Sequence, residues 1–156
     1  MSGPPRFEWV ADALIFMLNA VTDIPWGDGE APGGNATAVP PYGVVFPIAG
    51  LPSTGDAAAP ASETTPVYQL RGVGANRWQA EWIASAARRA VLDRVEGTGA
   101  FLNPIDTYLE NGVHRHLTTD QGIRVRLREH ESVLGHDPDG PFHSYDDRFS
   151  LLLEPL

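Results

Sequence analysis

Residues 65–95 read TPVYQLRGVGANRWQAEWIASAARRAVLDRV, a strand pattern that passes through Asn76 straight into a long helix with no loop between them. From Val67 to Val73 the residues alternate, so Tyr68 and Leu70 share one face and Gln69 and Arg71 the other. One face of this strand is expected to be buried. Gly72 and Gly74 are read as loosening the backbone where the strand turns. Asn76 is read as an N-cap whose side-chain oxygen accepts from a free amide of the first helical turn. With helical spacing, Ala80, Ile83, Ala84, Ala87, Ala90 and Val91 fall on one broad stripe, and Glu81, Ser85, Arg88 and Arg89 fall opposite. Small alanines let such a helix lie close to its sheet. Trp78 and Trp82 sit at the margin of the stripe beside Arg89; each is either the rim of the core or part of a contact surface. The core rim is the expectation, since large aromatics are mostly buried.

At 156 residues and 42% hydrophobic content the chain is long enough to bury the core of one domain. The absence of cysteine excludes a disulfide framework, thiol catalysis and thiolate zinc sites. Eleven basic against 20 acidic residues leave a net charge of −9, which repels nucleic acid and argues against specific DNA binding. Glu8 and Asp12 interrupt the first apolar run, and no stretch reaches the roughly 20 apolar residues of a membrane helix. The expectation is a chain that is cytosolic at synthesis.

Phe7 to Val21 predicts a first helix whose polar residues, Glu8, Asp12 and Asn19, fill only a narrow wedge. A helix so nearly apolar all round needs cover on two sides. Either a neighbouring subunit supplies the second cover, or a long loop of the same chain wraps Trp9, Ala13, Phe16 and Ala20. Pro25 to Pro41, rich in Gly, Pro, Ala and Asp, reads as a loop with little internal structure. Tyr42 to Ile48 reads as a strand whose proline favours an edge or a terminus. Gly50 to Thr64 is a low-complexity excursion between two paired strands.

After the long helix, Gly97 to Asp106 is a connection. Asn111-Gly112 is a strong hairpin signal of the type I′ turn, with arms at Thr107 to Glu110 and Val113 to Leu117. Ile123 to Val133 alternates, with Ile123, Val125 and Leu127 expected to face in and Arg124, Arg126 and Arg128 out. Gly135 to Pro141 reads as a turn, and His143 to Leu153 as a last strand with Tyr145, Phe149, Leu151 and Leu153 in step. The fold class that follows is α+β: a mixed or antiparallel sheet with an N-terminal helix and one long helix packed on it.

Chemistry finds little support in these residues. There is no nucleophile elbow, no phosphate loop and no complete dinucleotide fingerprint, so no catalytic residue and no cofactor is assigned. A small metal-dependent hydrolase is the enzyme alternative. His114, His116, Asp120, His130, His136 and His143 crowd the final third, with Asp146 and Asp147 following, although their spacing matches no established ligand pattern. The row Arg124, Arg126 and Arg128 either docks an acidic partner or lines a channel, or pairs with Asp146, Asp147 or Glu154 on an adjacent strand, the plainer reading.

Three pieces carry a resemblance: YGVVFPI followed by a Gly/Asp-rich excursion, VYQLRGVGANRWQAEWIASAARRAVL, and the closing DDRFSLLLEP. With the first helix they span most of the chain, which resembles the tail terminator (minor tail protein) family of long-tailed bacteriophages. The resemblance implies that residues 1–156 form one small α+β domain, with flexible loops at 25–41 and 50–64. It implies a non-enzymatic virion protein that assembles as a ring, commonly six-fold, on the head-proximal end of the tail tube. Such a ring stops tube polymerisation and presents a joint to neck or head-completion proteins, while DNA passes through without specific binding. Assembly in the host cytoplasm, no membrane, and contacts with the major tail tube protein are part of the same expectation. Trp9, Phe16, Trp78, Trp82 and Arg89 are the candidate subunit contacts. A head-completion or stopper protein of the neck is the alternative within virion structure.

Overall fold

The computed structural model describes residues 7–34, 38–52, 64–139 and 141–156. In chain order the elements are α1 (Phe7–Thr22), β1 (Trp26–Asp28), β2 (Tyr42–Pro52), β3 (Thr64–Gly74), α2 (Arg77–Leu92), β4 (Thr107–Glu110), β5 (Val113–His116), α3 (Leu117–Gln121), β6 (Ile123–Asp139) and β7 (Phe142–Pro155). Five strands form one sheet in the order β1-β2-β3-β7-β6, and β4-β5 is a separate hairpin. Only β1 runs parallel to its neighbour, so the sheet is mixed and the fold is α+β.

The strand-to-helix unit forms as its residues dictate. Tyr68 and Leu70 are buried on the helix-facing side of β3, and the buried residues of α2 are Ala80, Ile83, Ala84, Ala87, Ala90 and Val91. Asn76 caps the helix: the Gln79 amide donates to its Oδ1 at 2.8 Å, and the Gln79 side chain accepts from the Ala75 amide at 2.7 Å. The two strand glycines have a different role from the one expected. A Cβ at Gly72 would stand 2.9 Å from the Ile83 side chain, and one at Gly74 would stand 2.6 Å from the Ala80 nitrogen. They let the helix lie on the strand, rather than letting the strand bend.

The helix ends at Leu92, short of the expected Val95. Asp93 is extended (φ −60, ψ 140), and Arg94 bridges Phe101. The Leu102 amide donates to Asp93 O at 2.8 Å and the Val95 amide to Ala100 O at 2.6 Å, so backbone bonds of this turn replace the next helical ones.

Both sides of α1 are covered by the chain itself. Val10, Ala11, Ala13, Leu14, Met17 and Leu18 are all buried in the one core cluster, shared with β3, α2, β7 and the β4–β5 hairpin. Tyr108 of β4 and Leu117 of α3, fully buried, close the side away from the sheet. The hairpin, rather than a long wrapping loop, supplies the second cover for most of the helix, while Val21 stays 45% exposed and Trp9, Ile15 and Phe16 stay half-buried.

Pro25–Pro41 is not wholly without structure either. Trp26 is buried in β1; its amide donates to Asn19 Oδ1 at 2.8 Å and its indole nitrogen to Thr22 Oγ1 at 2.9 Å. This short strand pairs with β2 only at residues 43–45. Pro47 therefore lies past it, where the β2 register shifts, as a strand proline requires. The predicted Gly50–Thr64 excursion begins and ends inside β2 and β3, and 53–63 lie outside the described residues. Asn111 (φ 51) and Gly112 (φ 78) form the expected hairpin turn, but Leu117 starts α3 instead of closing β5.

β6 is the largest departure. Its pairing with β7 shifts between Val125 and Leu127, between His130 and Ser132, and between Val133 and Gly135. Each shift inserts one residue and reverses the alternation that the sequence displays. Arg128 pairs across from Leu151 on the helix-facing side and is buried, whereas Leu127, expected inside, is exposed. Gly135 has φ 81 within the strand, and β6 runs on to Asp139, so 135–139 are strand in place of the predicted turn; residue 140 lies outside the described residues.

Candidate interaction surface

The capped start of α2 holds Trp78 and Trp82 one turn apart on its outer side. Trp78 is 73% exposed and Trp82 43%, so neither is a core rim. Arg89, two turns on, is exposed beside them. A groove between α1, α2 and the following turn is lined by Val21, Trp82, Ala86, Arg89, Leu102 and Asn103. Asn103 fixes its floor by donating to Ala90 O at 3.1 Å. Val21 and Leu102 are about half exposed, which makes this apolar strip continuous with the tryptophans. Of the five candidate contact residues, the structure brings Trp78, Trp82 and Arg89 together. Trp9 packs half-buried against the core, and Phe16 meets the His114 ring edge-on at 5.7 Å. Those two belong mainly to the covering of α1.

The arginine row is broken up by the first β6 bulge. Arg124 Nε donates to Glu154 Oε1 at 2.8 Å, and Arg126 lies 3.8 Å from Glu154 Oε2. Arg128 instead reaches inward and donates to Val91 O at 3.1 Å, at the C-terminal end of α2 where a cation is favoured. Its guanidinium lies 4.5 Å over the Phe101 ring, which Arg94 also approaches at 4.1 Å. Burial, and then the Arg94 charge, lower its pKa to about 10. Because the folded value is depressed below the ordinary one, the charge costs stability at neutral pH, and that cost is relieved only as pH rises through about 10. Its Nε has no partner among the described residues. Arg128→Met is therefore expected to leave stability unchanged or to raise it by about 1 kcal/mol. Urea unfolding at pH 7 measures this, and a loss beyond about 2 kcal/mol would mean that the Val91 contact outweighs desolvation.

The acidic pair expected opposite that row is engaged elsewhere. Adjacent strand residues point to opposite faces, so Asp146 turns to the outer face and Asp147 to the helix-facing side. Arg71 Nε donates to Asp146 Oδ1 at 2.9 Å, and Gln69 Nε2 to Asp146 Oδ2 at 3.2 Å. Asp147, 2% exposed, accepts from Arg88 at 2.8 Å and lies 3.1 Å from His130 Nε2. Burial acts to lower the Arg88 pKa, but the hydrogen bond and charge of Asp147, with Tyr145 adding, leave it raised. This ion cluster pins α2 to β7 and β6. A signal for it was present, since Asp147 falls in step with Tyr145, Phe149 and Leu151, an inward acid that needs a cation.

The histidines are similarly dispersed. His116 faces Asp106 and Thr107, and His136 Nε2 lies 2.8 Å from His143 Nδ1. Near α1, burial raises the Asp12 pKa, and Asp28, Glu8 and Glu110 raise it further. The folded chain is thus favoured as pH falls through that raised value. No group of three or more His, Asp or Glu side chains among the described residues is placed to hold a metal ion. No described helix is long and apolar enough to cross a membrane. The chain matches no protein-family model, and no curated protein matches it significantly.

Proposed function

We propose that the chain is a structural, ring-forming virion subunit that caps the head-proximal end of a phage tail tube. The observation that carries this reading is the placement of the three segments behind the resemblance. β2, β3 with its helix α2, and β7 lie side by side at the centre of one sheet. Stretches far apart in the chain thus make one contiguous unit. The exposed Trp78 and Trp82 supply apolar contact area of the kind that dominates protein interfaces. A charge of −9 suits a conduit through which DNA slides without adhering.

On this reading the mechanism is geometric. One face of the ring matches the tube end, and the other does not template a further ring. The major tail tube protein and a neck or head-completion protein are the partners. The test adds purified chain to polymerising tail tube protein and follows tube lengths by electron microscopy. Capped tubes that stop growing, with six-fold rings in end views, are expected. Unchanged elongation with no chain at the tube ends would sink the reading.

A further inference from the structure

We propose that the outer face of α2 is a two-fold interface, closed by α2 of a second copy running antiparallel and crossing at Ser85. A two-fold contact joins two chains and does not by itself close a ring of six. The proposal therefore goes beyond the tube-capping reading; it takes Trp78 and Trp82 for the two-fold contact and leaves that reading resting on the placement of the three segments, so each can fail without the other.

Charge complementarity sets both direction and register. About a dyad at Ser85, Glu81 faces Arg89 of the second copy, and Arg77 faces its Asp93. Trp78 then covers Leu92, and Trp82 lies over the aliphatic stem of Arg88, whose guanidinium stays on Asp147. A parallel pair in register would set Arg77, Glu81 and Arg89 each against its own copy, which repels. An antiparallel slip of one turn sets Arg77 against Arg89 in one direction and Glu81 against Asp93 in the other. Of these arrangements, the Ser85 register alone sets Arg77, Glu81, Arg89 and Asp93 each against an opposite charge. Ser85 is small, which suits the close approach of two helices. The existing Arg77–Glu81 contact is long, 3.6 Å, and mostly exposed, so exchanging it across the interface costs little. Val21 and Leu102 widen the strip that the second copy covers.

The chain has no cysteine, which allows a direct test. Ser85→Cys puts one thiol on the dyad, where two Cα atoms come within disulfide reach. Under oxidised glutathione this variant is expected to form covalent dimers at least about tenfold faster than Thr119→Cys, an exposed α3 control. Glu81→Arg and Arg89→Glu should each weaken dimerisation about tenfold by sedimentation equilibrium, and the double variant should restore it. Cross-linking no faster than the control, or no rescue in the double variant, overturns the proposal. Six-fold rings without Ser85→Cys cross-linking overturn it while leaving the capping reading standing; dimers that ignore tube ends do the reverse. Protection of the Ser85→Cys thiol only when tube protein is added assigns the face to that partner and also overturns it.

Discussion

Arg88→Ala is expected to cost about 3–5 kcal/mol of folding free energy, and Asp147→Ala less, about 2–3 kcal/mol. The order follows from which group is left stranded. Asp147 is 2% exposed, whereas Arg88 and His130 are 35% and 26% exposed. Removing the arginine leaves a buried carboxylate between α2 and β7 with the His130 ring beside it. Removing the carboxylate leaves two cationic or polar groups that recover much of their hydration. Because the folded pKa of Arg88 is raised, the stability it contributes is lost on the alkaline side only as pH rises through that raised value, above the ordinary arginine range. The two variants should also be non-additive when combined, since they share one contact. Urea denaturation of both single variants and the double variant decides the matter, and equal or reversed costs would mean that the cluster is hydrated.

Tyr108→Ala is expected to cost about 3–5 kcal/mol, the range for truncating a large buried aromatic. Tyr108 is fully buried in β4 against the side of α1 that the sheet does not reach, and its hydroxyl accepts from Gln121 Nε2 at 2.6 Å. The substitution opens a cavity over α1 and unties α3 from the hairpin together. Amide exchange should therefore quicken in α1 far more than in α2, which keeps its own strand. A loss under about 1 kcal/mol, or uniform exchange, would show that α1 does not depend on the hairpin for its cover.

Local rules read most of this fold correctly where the signal lies within one element. The Asn76 cap, the alanine stripe of α2 and the Asn111-Gly112 turn each depend on residues a few positions apart, and all three stand as expected. The solvent side of α2 was legible less well. Arg88 reads as exposed on a helical wheel, yet the buried Asp147, 59 residues away in sequence, draws it half-buried into an ion pair. Trp78 and Trp82 read as core rim, because composition cannot say that four alanines with Ile83 and Val91 fill the space over the sheet. β6 misled most. Its clean alternation holds only in an unbulged strand, and apart from Gly135 nothing local announces the register shifts against β7.

By itself, the sequence determined the two long helices, the central strands, the α+β class and the strand-to-helix unit, but not β1 or α3, because periodicity, capping and turn chemistry act over one or two turns of chain. Tertiary structure alone decided which arginine is buried, what covers α1, and that the tryptophans face outward. Those outcomes depend on strand register and on contacts between distant segments, where burial of one side chain is set by the shape of another.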